Sequence, residues 1–86
     1  MSRRLRRRPA QIRFTEGARK QVDALTDAEE VRRLDRALNE LAIDPEMGVP
    51  TRFPLIRDYR NDAEGVRVIY SVSVLRSAIL VAYVEA

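Results

Sequence analysis

Neither cysteine nor histidine occurs in this 86-residue sequence. Without cysteine there is no disulfide and no thiolate metal site. Without histidine, the commonest metal ligand and the commonest general base near neutral pH are both missing. Long apolar runs are missing too. The longest, Ala78 to Val84, falls far short of the ~18 residues that span a bilayer. The arginines near the start are followed by Pro9, Gln11, Arg13 and Glu16 rather than by the apolar stretch of a signal peptide. A cytoplasmic protein with no metal and no cofactor is expected. Any chemistry must come from Arg, Lys, Tyr, Asp, Glu or Ser.

What is present fits one small globular domain. Apolar residues make up 45% of the chain, too many for a disordered one. A domain this short buries only about 60% of its unfolded surface, so modest stability is expected. The net charge of +3 is unevenly placed. Arg3, Arg4, Arg6, Arg7 and Arg8 stand in the first eight residues; setting those five aside leaves 11 basic against 13 acidic residues, a body near −2. Residues 1–10 therefore read as a basic arm, expected to be disordered, and 11–86 as the folded domain. The arm either attracts phosphate backbones or reflects a general bias to arginine, since only Lys20 among the 16 basic residues is not Arg.

The pattern along the chain predicts α+β architecture. Gln11 to Thr15 reads as a short strand. A helix follows to about Leu25, with Thr15 as N-cap and Ala18, Val22 and Leu25 on one stripe. Asp27 and Glu30 stand at capping-box spacing before a second helix to Ile43, striped by Val31, Leu34, Leu38 and Leu41. Asp44-Pro45 stops it. Residues 44–54 read as a loop. Period-two segments follow: Leu55 to Arg60, Val66 to Val74 and Ala78 to Glu85, joined by a turn at Asn61 to Gly65 and a hairpin at Leu75-Arg76-Ser77. The whole reads as an N-terminal strand and a helical hairpin packed on an antiparallel meander.

The segment from Val66 to Val74 carries the main functional signal. Val66, Val68, Tyr70, Val72 and Val74 share one face, the natural floor for the helices, and Tyr70 reads as core. Arg67, Ile69, Ser71 and Ser73 share the other, more polar face. A guanidinium on a rigid strand can grip two phosphate oxygens at once. Alternatively Arg67 pairs with Asp58, Asp62 or Glu64 and holds the sheet together. Arg52, Arg57, Arg60 and Arg76, with Tyr59 and Tyr83, lie in the same meander, and arginines interleaved with aromatics suit RNA binding.

In four places the sequence resembles the RelE/ParE toxins of bacterial type II toxin–antitoxin systems: IRFTEGARKQVDAL, LNELAIDPEMG, PLIRDYRN, and EGVRVIYSV followed by AILVAYVE. The resemblance spans residues 11–85, and Gly-x-Arg-Val-Ile-Tyr is its most specific element. It implies a cognate antitoxin as partner and no metal. In ribonuclease members, which cleave mRNA on the ribosome, the arginine of this element binds phosphate and is catalytic; it matches Arg67. Those members also carry two basic residues on the preceding strand. One position matches Arg60. The other matches Asp58, with Arg57 beside it as the candidate substitute. Ribonuclease members continue past the last strand into a segment with more basic residues and a tyrosine, and this sequence ends at Ala86, so inefficient cleavage is expected.

Three functions follow from the resemblance. The first is a ribosome-dependent endoribonuclease in which Arg67 and Arg60 stabilise charge on the attacked phosphate. The second is a ParE-like poison of DNA gyrase that acts by binding. The third is a degenerate member without catalysis.

Overall fold

The computed structural model describes residues 8–86. The expected disorder of the arm therefore falls, for residues 1–7, outside the described residues. Ala10, at the arm's far end, is buried and its N–H donates to Ala42 O at 2.7 Å, so packing begins one residue before the first strand.

Strand β1 (Gln11–Phe14) leads into α1 (Glu16–Asp23), and α2 (Ala28–Ile43) follows after a short connection. The remaining elements are β2 (Val49–Pro50), β3 (Ile56–Asn61), β4 (Val66–Val72) and β5 (Ala78–Glu85). They form one five-stranded sheet in the order β1-β5-β4-β3-β2. The meander β3-β4-β5 is antiparallel as expected. Two features go beyond it. Strand β1 joins the sheet itself, parallel to β5, and β2, inside the expected loop, pairs antiparallel with β3.

The helix boundaries follow from side-chain caps. Thr15 Oγ1 accepts from Ala18 N at 3.1 Å and starts α1. Asp27 Oδ1 accepts from Glu29 N at 2.8 Å and starts α2, so the cap reaches the second helical residue rather than Glu30. The second helix ends at Ile43, before Asp44-Pro45. Leu34, Ala37, Leu38, Leu41 and Ala42 form its buried stripe; Val31, expected in that stripe, is 44% exposed. Both helices cover the sheet face that carries Val66, Val68, Tyr70 and Val72, and these join Ile79, Val81 and Val84 in the core. Val74 is not on that floor. Strand β4 ends at Val72, because Ser73 Oγ accepts from Ser77 N and Ala78 N and turns the chain.

One irregularity decides what reaches the open face. Ile69 pairs with Tyr83 but Tyr70 pairs with Val81, so Ala82 is an extra residue in β5. Strict alternation from Val81 would put Tyr83 in the core and Val84 outside. The bulge reverses this. Val84 is buried, and Tyr83 and Glu85 turn to the open face. The helix α1 supports the bulge: Gln21 Oε1 accepts from Val84 N at 2.9 Å.

Candidate functional site

The open face of the sheet is charged at one end. Arg60 of β3 lies opposite Arg67 of β4, and Arg67 lies opposite Glu85 of β5. One step along, Asp58, Ile69 and Tyr83 form the next row. Two arginines directly opposite one another repel. Asp58, two residues from Arg60 on the same face, relieves this. It accepts a fork from Arg67, Nε to Oδ1 at 3.1 Å and Nη2 to Oδ2 at 2.9 Å. Arg60 Nη2 stands 3.6 Å from the same Oδ2. The Arg67 hydrogen bond holds the Asp58 carboxyl below the usual carboxylate range, and the same bond raises the Arg67 guanidinium. Tyr83 Oη donates to Glu85 Oε2 at 2.6 Å, which pushes the phenol up.

The recess at this end measures about 220 Å³ and is lined by Arg60, Asp62, Gly65, Val66, Arg67 and Glu85. Its rim is the turn between β3 and β4. Glu64 N donates to the backbone and the side chain of Asn61, and Gly65 takes φ +71°, where a side chain would be strained. Arg36 of α2 ties the turn down through Glu64 at 3.0 Å. Among the described residues, no group of three Asp or Glu side chains is placed to hold a metal ion.

Seven residues were expected at the site, and the structure divides them into three groups. Arg60, Arg67 and Tyr83 come together on the open face, with Asp58 and Glu85 among them. Arg57 and Tyr59, expected beside Arg60 and Arg67, lie instead on the other side of the sheet. Alternation along β3 puts them opposite to Asp58 and Arg60. Tyr59 is buried in the core at 8% exposure. Arg57 donates to Glu46 O at 3.1 Å and Gly48 O at 2.7 Å, so it clamps the chain after α2 and does not replace the missing basic residue at position 58. The same loop is held by Tyr70, whose Oη donates to Pro45 O at 2.6 Å and accepts from Gly48 N at 3.0 Å. Gly48 has to be glycine here, because a Cβ would stand 2.8 Å from that hydroxyl.

Arg52 and Arg76 form the third group, at the opposite end of the sheet. The Ile56–Ser71 row there lies four residues from the Arg60–Arg67 row, roughly 13 Å at the usual strand rise. Arg52 stacks over Phe53, and Arg76 pairs with Glu46. Neither reaches Arg67. This end of the open face is apolar: Leu55, Val74 and Leu80, each at least 42% exposed, line a recess of about 320 Å³.

Two helices on one face of a mixed sheet, with an arginine–carboxylate cluster on the other, define an α+β protein that displays its polar chemistry on the uncovered sheet face. That architecture is the RelE fold. The toxin–antitoxin complex RelBE of E. coli contains a chain that superimposes with a TM-score of 0.74 at 20% identity, over 88% of this chain and 94% of that one. The isolated E. coli RelE toxin gives 0.73 at 22% identity, over 88% and 82%. The archaeal RelE–RelB complex of Pyrococcus horikoshii gives 0.62 at 20%, over 90% and 93%. No protein-family model matches the sequence, and no curated protein matches it.

Proposed function

We propose that this chain is the toxin of a type II toxin–antitoxin pair and inhibits translation by cleaving mRNA on the ribosome. The observation that carries this is the pairing of Arg60 and Arg67 on the open face of a RelE fold. Arg67, on the central strand, is the phosphate-binding and catalytic residue, and Arg60 is its partner. The mechanism is attack by the RNA 2′-hydroxyl on the adjacent phosphorus. The O2′–P bond forms as the P–O5′ bond breaks, leaving a 2′,3′-cyclic phosphate. The 2′ proton passes to solvent, and the 5′-oxygen leaves as a hydroxyl that takes a proton from solvent. The guanidinium groups stabilise the charge that develops on the phosphate. With no histidine in the chain, the ribosome supplies most of the orientation and the arginines supply the electrostatics. Tyr83 lies beside Arg67 as the stacking surface for a base.

The partner is a cognate antitoxin. Two of the similar structures are RelBE or RelE–RelB complexes, and the exposed strip of Leu55, Val74 and Leu80 is the kind of patch a partner covers. Co-expression with the protein of the adjacent gene is expected to give a complex that copurifies and melts higher than the chain alone. The function itself is tested by induced expression with pulse labelling of protein and DNA synthesis. Protein synthesis is expected to stop first. A prior failure of DNA synthesis would replace this reading with gyrase poisoning, and growth without arrest would leave a non-catalytic member of the fold.

A further inference from the structure

Asp58 occupies the part of Arg67 that a phosphate would need. The carboxylate takes Nε and Nη2 together, in the two-point geometry a phosphate uses. It also stands between the two arginines, within 3.6 Å of Arg60. Both groups of the pair are shielded, with side-chain exposures of 31% for Arg67 and 21% for Asp58. Arg60 is the freer of the two cations at 58%. With Glu85 opposite Arg67 and Asp62 lining the same recess, the cluster holds two cations and three anions, so its local charge is not positive and free RNA gains little there by long-range attraction.

We propose that Asp58 is a built-in competitor for the phosphate site: it locks the Arg67 fork, and a phosphodiester binds there only by displacing it. This rests on the reading of Arg60 and Arg67 as a phosphate site. Arg60 makes the first contact, and the carboxylate then gives up Arg67 to the incoming oxygens. Lowering the pH within the neutral range does not open the lock, since Arg67 keeps Asp58 ionised. Opening requires a phosphate that is held in place by other contacts, as an mRNA on the ribosome is. The lock therefore favours substrate presented by a scaffold over free RNA.

The test is binding of a short, fluorescein-labelled single-stranded RNA to the purified chain, by anisotropy over a salt series. The variants are Asp58→Asn, Arg67→Ala and the two combined, with Asp58→Ser as a second opening substitution and melting curves to show that each is folded. Opening the lock is expected to tighten binding about tenfold, the value of one charge-assisted contact. It is also expected to steepen the salt slope by roughly 0.7, for one added phosphate. Both gains are expected to vanish when Arg67→Ala is added. Three results would overturn the lock. A gain that persists in the double variant would mean net charge alone is responsible. No gain from Asp58→Asn, with Arg67→Ala weakening binding, would leave the phosphate site standing without a lock. No change from either substitution would remove the phosphate site and the lock together.

Discussion

On the helix-covered side of β4, Val66, Val68, Tyr70 and Val72 are 7% exposed or less, while on the other side Arg67, Ile69 and Ser71 are only half-buried. The same seven-residue strand thus serves two purposes. The covered side is bound by packing, and any lost volume or hydrogen bond there is felt by the whole domain. The open side is bound by charge pairs that water can replace, and such pairs contribute little to stability. Residues on the open side are therefore free to be selected for what they bind. The difference separates substitutions that unfold the protein from substitutions that change only what its open face can bind.

The largest loss of stability among these tests is expected on the covered side. Tyr70→Phe keeps the ring but leaves Pro45 O and Gly48 N without their partner, in a buried place. The cost is expected to be about 1–3 kcal/mol, read as a lower melting temperature. The open face is intact in this variant, so the proposed toxicity, per folded molecule, should be unchanged. A loss of toxicity without a loss of stability would show that the loop held by Tyr70 belongs to the site.

Much of this division was legible in the sequence. Alternation alone separated Val66, Val68, Tyr70 and Val72 from Arg67, Ile69 and Ser71, and the carboxylate that pairs with Arg67 was among the three considered. Alternation along β3 also carried the signal that Arg57 and Tyr59 face away from Asp58 and Arg60. Grouping residues by chemistry, rather than by face, obscured it. The Ala82 bulge was not legible, because AILVAYVE alternates acceptably in either register. Its effect on Tyr83 and Glu85 depends on the pairing with β4 and on Gln21, some 60 residues away. Nor was β2 legible. Two residues in DPEMGVP carry no period, and their pairing is decided by the tethering of the loop through Arg57 and Tyr70.

Gln21 gives the intermediate test, because it joins the two sides. Gln21→Ala leaves the Val84 N–H beside the bulge without its acceptor, and a cost of about 1 kcal/mol is expected. Displacement of Tyr83 should accompany it, visible as a changed tyrosine ring signal by NMR. An unchanged signal would mean that pairing with β4 alone fixes the bulge.

The smallest effect is expected for Asp58, and it depends on pH. Its carboxyl is held lower in the folded chain than in the unfolded one, chiefly by the Arg67 hydrogen bond. Its contribution to stability is therefore complete above the unfolded value of about 3.9 and fades as the pH falls through the lower, folded value. Asp58→Asn should melt slightly below the wild type at neutral pH, and the gap should close as the pH falls below about 4. A gap that widens in acid would contradict the pairing.

The central claim is that Arg67 acts on phosphate and is dispensable for the fold. Cleavage of ribosome-bound mRNA, mapped by primer extension for the wild type, Arg67→Ala and Arg67→Lys, tests it most directly, with melting curves alongside. Removing a donor that meets charge in the transition state is expected to slow cleavage by about 100–1000-fold. Lysine should restore little, since a point charge lacks the two-pronged geometry, and all three proteins should melt close together. Cleavage that survives Arg67→Ala in a folded protein would contradict the account.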